Sequence, residues 1–471
     1  MAELTSGELK RKLVHLGVGG FAFLLRFLSW PQAALLAAAA FVFNWRLLPR
    51  IGGRDLWRGH ERKRGYARGI LLYPLSVLGL VLFFHSDEDL WKVAAVWAVL
   101  AFGDGMASLL GQSLGGPRLP WNRDKSWAGL LAFLGCGGLG AAVLIAWTLH
   151  LPVASALHPR ILVLALPLAL VCGLAESVPT TLDDNLTVPL VGGAFIALAA
   201  PVEWGALLRS PALVPRLWAG LAANGALAVA AFAARSIDLA GAASALVIGT
   251  AITLGLGLPG LALMIAFFVV GSAVTRLGYR IKAARGIAQQ KGGARGWRNA
   301  WANGGVPAIL ALLAGAHAAQ SGPQAPAASQ AGFLALLLTV AYAAAVATAA
   351  ADTCSSEIGK AYGRRTFLIT TFKPVAPGTE GAVSLEGTLG GLAGGALVAA
   401  VGAAAGLYAW PAVLLVAVAG LGGSLAESLI GSVAERRGWL DNDLLNALNT
   451  AIGAALAALL LRLVLVSGPA A

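Results

Sequence analysis

The sequence predicts an all-α polytopic membrane protein of about 15 transmembrane helices, arranged as two parallel seven-helix repeats joined by one helix. Three observations predict it. Of the 471 residues 58% are hydrophobic and only 12% charged, with a mean hydropathy of +0.77, which is more apolar surface than a soluble core can cover. A polar, glycine-rich stretch interrupts the apolar runs twice, at residues 103–125 and 351–373, and a repeat of that length marks a duplicated module. Basic residues gather in alternate short loops, the bias that places such loops in the cytoplasm.

Spanning segments are expected at about residues 13–28, 32–49, 69–84, 90–110, 127–149, 160–178 and 186–201 in the first half. Pro31, Pro74, Pro152 and Pro189 fall at or near the ends of these runs, where a missing amide costs least. Lys10, Arg11 and Lys12 before the first span, and the loop from Arg46 to Arg68 after the second, put the N-terminus inside. The acidic turn at 85–89 then lies outside, and the loops at 104–125 and 183–184 return inside. Seven crossings end outside, so a second module of the same orientation needs one more helix, at 212–234. Seven further spans are expected at about 239–256, 259–275, 302–316, 331–350, 384–408, 410–431 and 444–466. The loop from Arg276 to Arg298 holds seven basic residues and no acid, which makes it another inside loop. The domains are then 1–205, a connecting helix in 206–235, and 236–471.

The formal charge of +12 reflects those loops, so it is topology rather than nucleic-acid recognition. Cys136, Cys172 and Cys354 have neither disulfide nor zinc spacing. No cleavable signal or transit peptide is expected before Leu13, and the Ala-, Gly- and Arg-rich composition leans toward a prokaryotic plasma membrane.

The two polar stretches align without a gap on Asp104/Asp352, Ser108/Ser356, Gly111/Gly359, Gly115/Gly363 and Lys125/Lys373, with lysine 21 residues after aspartate in both. Downstream, Ala175-Glu176-Ser177 matches Ala426-Glu427-Ser428, each followed by an acidic-amide cluster: Asp183-Asp184-Asn185 and Asp441-Asn442-Asp443. Carboxylates at membrane depth are costly and mark functional sites. Three or four per module suit magnesium, which takes a few carboxylates plus substrate phosphates. Glycines admit phosphate oxygens to backbone amides, and Lys or Arg holds them. Phosphoryl transfer is the chemistry this set supports. The plainer reading is a carboxylate solvated at a helix end or paired with Lys125 or Lys373; the doubled spacing argues against it. No GxxxxGK[ST] loop and no protein-kinase motif set occurs, so the site is expected between membrane helices. Glu8, Arg11, Lys12 and His15 stand at helical spacing at the entry to the first span.

Glu8-x-x-Arg11-Lys12-x-x-His15, Gly103-Asp104 with Ala107-Ser108-x-x-Gly111, Lys125-Ser126 with Gly129, Glu176, and Asp183-Asp184-Asn185-Leu186-Thr187-Val188-Pro189-Leu190 resemble the phytol kinase and dolichol kinase family over roughly the first 200 residues. From about Ser236 onward the chain is similar to a different multi-span family that includes the plant phytyl-phosphate kinase. That likeness rests on Phe267-Phe268-x-x-Gly271-Ser272, Arg298-Asn299 with Ala302-Asn303-Gly304, Ala351-Asp352-Thr353 with Ser356-Glu357-Ile358-Gly359, Pro377-Gly378-Thr379-Glu380-Gly381, Gly387-Thr388, Gly423-Ser424 and Asn446. Gly105-Met106, Leu130, Cys354 and Glu427 depart from the family patterns, which bears on substrate more than on reaction type.

The joined resemblances imply a fusion that phosphorylates a prenyl alcohol such as phytol or geranylgeraniol to the monophosphate in the first half and to the diphosphate in the second. CTP is the implied donor and Mg2+ the metal. Asp104, Lys125, Glu176 and Asp184, with Asp352, Lys373, Glu427 and Asp441, are the expected catalytic groups. Arg11, Lys12, His15, Ser108, Gly111, Arg298, Asn303, Ser356 and Gly359 are expected to bind nucleotide or phosphate, and Asp104, Asp183, Asp352 and Glu357 the metal. Two alternatives stand beside this: a transporter built from parallel repeats, and a cytidylyltransferase acting on a lipid phosphate.

Overall fold

The computed structural model describes residues 6–51, 67–288, 296–321, 329–434 and 440–467. Arg54 to Arg64 of the first basic loop, and Lys291 and Arg295 of the second, lie outside the described residues. The chain divides into two compact units, Met1–Pro201 and Val202–Ala471. It is an all-α integral membrane protein. Eleven helices among the described residues are long and apolar enough to cross a membrane, and Arg68–Phe84 and Asp184–Ala199 are shorter apolar helices. That is fewer than the expected fifteen, in part because residues 239–276 run as one element, broken only where Gly257 takes φ +67° ahead of Pro259.

The first unit is built around α4 (Leu90–Ala98), whose residues from Val93 to Ala98 are almost wholly buried. A π turn, Val99–Asp104, leads from it into α5 (Gly105–Ser113). Around them pack α1 (Ser6–Gly19, prolonged by a 3-10 turn to Arg26), α2 (Trp30–Val42), α3 (Arg68–Phe84), α6 (Trp127–Ala132), α7 (Gly138–Thr148), α8 (Pro159–Ser177) and α9 (Asp184–Ala199). Ser29 and Gln32 form a capping box that starts α2 straight after the turn from α1. A second π turn, Phe133–Gly137, joins α6 to α7 and packs on the first. Glycine is needed there, because a Cβ on Gly137 would stand 3.2 Å from the Cα of Gly103.

In the second unit α10 (Leu213–Ala233) packs on α11 (Leu239–Arg276). The helix expected as a connector thus belongs to this unit, held by Asn224, whose Nδ2 donates to the Gly220 carbonyl at 2.8 Å and reaches Thr253 Oγ1 at 3.4 Å. The short α12 (Tyr279–Ala284) and α13 (Trp297–Ser321) lead to α14 (Gln330–Tyr362), the buried centre of the unit. A two-stranded hairpin comes next, β1 (Thr366–Leu368) against β2 (Ala382–Ser384), and then α15 (Leu385–Ala404), α16 (Ala412–Ala434) and α17 (Asn442–Ser467). Small residues let these helices close on α14: a Cβ on Gly391 would come within 2.8 Å of the Ala351 carbonyl.

Candidate functional site

In the first unit the π turn brings Asp104 to α1. A π turn inserts one residue and rotates the downstream side chains about the helix axis. Asp104 so placed accepts from Lys12 Nζ, 3.3 Å from its Oδ2, and has His15 Nε2 at 3.5 Å. Lys12 and His15 share one face of α1 by their spacing of three. His15 Nε2 also lies 3.1 Å from the Leu100 carbonyl, and its ring meets Tyr73 edge-on.

Opposite stands Lys125, with Nζ 2.5 Å from Glu176 Oε1 and 3.8 Å from Asp184 Oδ2, donating also to the Glu176 carbonyl. Its loop is fixed on both sides. Ser126 caps α6, its hydroxyl accepting from Gly129 N at 3.2 Å. Trp121 Nε1 donates to Ser177 Oγ at 2.9 Å, and Asn122 Nδ2 to the Ser177 carbonyl at 3.0 Å, which ties the loop to the end of α8 beside Glu176. Trp121 and Asn122 carry no repeat signal in the sequence; Ser177 has one, in the doubled Ala-Glu-Ser.

Asp104, Glu176 and Asp184 each offer a carboxylate oxygen, all within 4.8 Å of one another. Lys12 and Lys125 stand among these carboxylates. These hard oxygens fit a magnesium ion that also takes phosphate ligands. Asp183, the residue expected beside Asp104 as a ligand, has another task. It caps α9, its Oδ1 accepting from Asn185 N at 3.0 Å and Asn185 Nδ2 at 2.8 Å.

A cavity of about 1100 Å³ opens from this cluster. Arg11, Lys12, His15, Asp104, Asp183 and Asp184 line its polar end, and apolar residues of α1, α2 and α3 line the rest. Ser108 stands half-buried one turn beyond Asp104, and Gly111 lets α5 meet α6, since its Cβ would lie 3.1 Å from the Gly129 Cα.

In the second unit Asp352 lies on α14 and lines one cavity with Ser424 and Glu427, and Asn449 Nδ2 donates to Glu427 Oε2. Asn303, Asp352, Ser356, Gly359, Lys360 and Glu427 line a polar cavity of about 390 Å³. Other expected members stand elsewhere. Glu357 is buried in an ion pair with Lys282, whose Nζ also donates to the Thr275 carbonyl at 2.7 Å. Asp441 starts α17, accepting from Leu444 N at 2.9 Å, and Arg298 is exposed, with its guanidinium 5.5 Å from the Trp297 ring centre.

Lys373 is not the counterpart of Lys125, although it stands 21 residues after its aspartate. Two contacts align the units internally. Ser384 caps α15 as Ser126 caps α6, accepting from Gly387 N at 3.1 Å. Gly387 closes on Gly359 as Gly129 closes on Gly111. The residue before the capping serine is Lys125 in one unit and Val383 in the other. Lys373 sits exposed in the longer β hairpin and does not line the cavity, whose cation is Lys360.

Comparison with known proteins gives a family and a set of relatives. The family model described as integral membrane protein DUF92 matches residues 222–454. An uncharacterised membrane protein of Synechocystis sp. is 40% identical over 233 residues, 49% of this chain and 85% of the relative. A phytol kinase of Synechocystis sp. is 32% identical over 211 residues, 43% of this chain and 83% of the relative. A chloroplastic farnesol kinase of Arabidopsis thaliana is 30% identical over 203 residues, 39% of this chain and 62% of the relative. Each match therefore covers about half of the chain or less. No solved structure matches it significantly.

Proposed function

The chain belongs, through residues 222–454, to the integral membrane protein family DUF92, and from that premise and the site geometry we propose that it is a membrane kinase of prenyl alcohols. The reading is carried by one observation: a cavity with apolar walls whose polar end is lined by Lys12, Asp104 and Asp184, part of a cluster that the Lys125–Glu176 pair completes behind the lining. An amphiphile with a long apolar tail and a single hydroxyl head matches it. The relatives named phytol kinase and farnesol kinase support the same class of acceptor.

In this reading the acceptor hydroxyl lies at Asp104 and His15, and burial of its tail supplies most of the affinity. Lys12 and Lys125 hold oxygens of the transferred phosphoryl group, as point charges suited to phosphate. The hydroxyl oxygen forms a bond to the terminal phosphorus, the bond to the bridging oxygen breaks, and the nucleoside diphosphate leaves. The hydroxyl proton passes to a carboxylate. Asp104, Glu176 and Asp184 would hold magnesium, which when bound supplies charge neutralisation on the nucleotide phosphates.

The finer reading has two steps. The first unit makes the monophosphate, and the second, around Asp352 and Glu427, makes the diphosphate, with CTP as donor. The N-terminus and both sites face the cytoplasm of a prokaryotic plasma membrane. Purified protein given magnesium, phytol or geranylgeraniol, and CTP or ATP in turn tests the two steps and the donor by the mass of the lipid products. Diphosphate is expected. With the prenyl monophosphate added instead of the alcohol, release of pyrophosphate with a CDP-lipid from CTP would replace the kinase by a cytidylyltransferase; solute uptake into proteoliposomes without any lipid phosphorylation would replace it by a transporter.

A further inference from the structure

Helices α2 and α3 run antiparallel along the cavity, and one contact fixes their register: Asn44 Nδ2, just beyond α2, donates to the Ile70 carbonyl at 2.9 Å, near the polar end. Each helical step away from that contact brings the next pair of lining residues abreast. Counted in antiparallel register from that contact, Ala40 pairs with Pro74, Ala37 with Val77 and Ala33 with Val81, and all six line the cavity. From Asn44 to Ala33 is three turns of helix, about 16 Å. The α3 side is bulky and closed, with Val77 2% and Val81 1% exposed. On α2 the row that continues from Asn44 is alanine at each step, Ala40, Ala37 and Ala33, with Leu36 and Val42 lining the cavity beside it, so along that row no side chain extends beyond Cβ.

We propose that Ala33, Ala37 and Ala40 form a length gauge for the acceptor tail. This rests on the prenyl alcohol reading, which places the hydroxyl at Asp104 and runs the tail along the apolar lining that α1, α2 and α3 share. One turn of α2, about 5.4 Å, is roughly the length of one isoprene unit. Each alanine therefore stands beside a successive unit of the tail, and a large side chain at any of them stops the tail there. Ala33, furthest from the head, admits the last unit of a C20 tail; Ala37 admits the unit before it. Charge agrees with this occupant, because no ionisable residue lines the cavity beyond the polar end.

The test uses the full chain and two variants, Ala33→Phe and Ala37→Phe, with Leu35→Phe as control on the 71% exposed face of the same helix. Phosphorylation of geraniol, farnesol and geranylgeraniol is measured as kcat/KM, and retention of the tritiated alcohols by the purified protein is measured alongside. Ala33→Phe should lower geranylgeraniol relative to farnesol by about tenfold or more. Ala37→Phe should move the cut-off one unit shorter, lowering farnesol relative to geraniol as well. The Leu35→Phe protein should keep the wild-type ratios. An equal loss for every tail length, or unchanged ratios in both variants, overturns the gauge. Graded retention without phosphorylation by the wild type would sustain the gauge and remove the kinase reading; no retention of any alcohol by the wild type would end both.

Discussion

Lys125 grips Glu176 twice, its ammonium lying 2.5 Å from the side-chain Oε1 and donating to the backbone carbonyl of the same residue. This contact joins the loop that opens α6 to the end of α8, and it holds a cation within 3.8 Å of Asp184. Lys125 is thereby a strut behind the lining of the cavity, which Lys12 reaches directly.

Replacing Lys125 by Ala should lower monophosphate formation by about a hundredfold or more, whereas Lys373→Ala should change neither step more than about twofold, as an exposed residue outside the lining of both cavities described above. Rates of the two steps, followed by lipid product mass, decide this. A large loss in Lys373→Ala would restore the equivalence that the equal spacing implied.

Asp104→Asn should abolish the first phosphorylation and spare the conversion of added monophosphate. In Asp352→Asn the monophosphate should accumulate instead. Loss of both steps in either variant would refute two independent sites.

Asp183 and Asp184 are adjacent in sequence and separate in role. Asp184→Asn should raise the magnesium concentration needed for half-maximal rate by about tenfold or more. Asp183→Ala should leave that concentration unchanged and reduce stability by about 1 kcal/mol through loss of the α9 cap. Magnesium titrations of the two variants, with thermal unfolding of each, separate the roles, and matching metal dependence would contradict the assignment.

Lys282 and Glu357 are buried to 1% and 2% exposure as a pair. Truncating one partner strands the other's charge, so Lys282→Met should destabilise the protein by about 3–5 kcal/mol. Adding Glu357→Leu to that variant should recover most of the lost thermal stability. A single variant as stable as the wild type would show that the pair is not closed in the membrane-embedded protein.

The membrane class and the positions of the helices were legible because apolar runs of spanning length have few other folds. Even Gly257-Leu258-Pro259, where two expected spans run on as one kinked element, fell at the boundary drawn from sequence. The acidic groups were legible for a related reason: Asp104 and Glu176 end apolar segments, where an unpaired carboxylate is costly, so their partners had to come from elsewhere in the fold. Trp121 and Asn122 were not legible, because their work is to hold Ser177 and nothing in a loop's composition names its distant partner.

By itself the sequence determined that this chain lives in a bilayer and that two polar stretches, beginning at Asp104 and Asp352, interrupt its apolar runs. Only the tertiary structure decided which lysine belongs to which carboxylate, that Asp184 rather than Asp183 joins Asp104, and that a long apolar cavity leads away from the first cluster. The physical reason is that spacing counts residues along a chain, while charge acts through space. The longer hairpin of the second unit carries Lys373 out into solvent at an unchanged count, and the cap on α9 turns one of two neighbouring aspartates back on its own backbone.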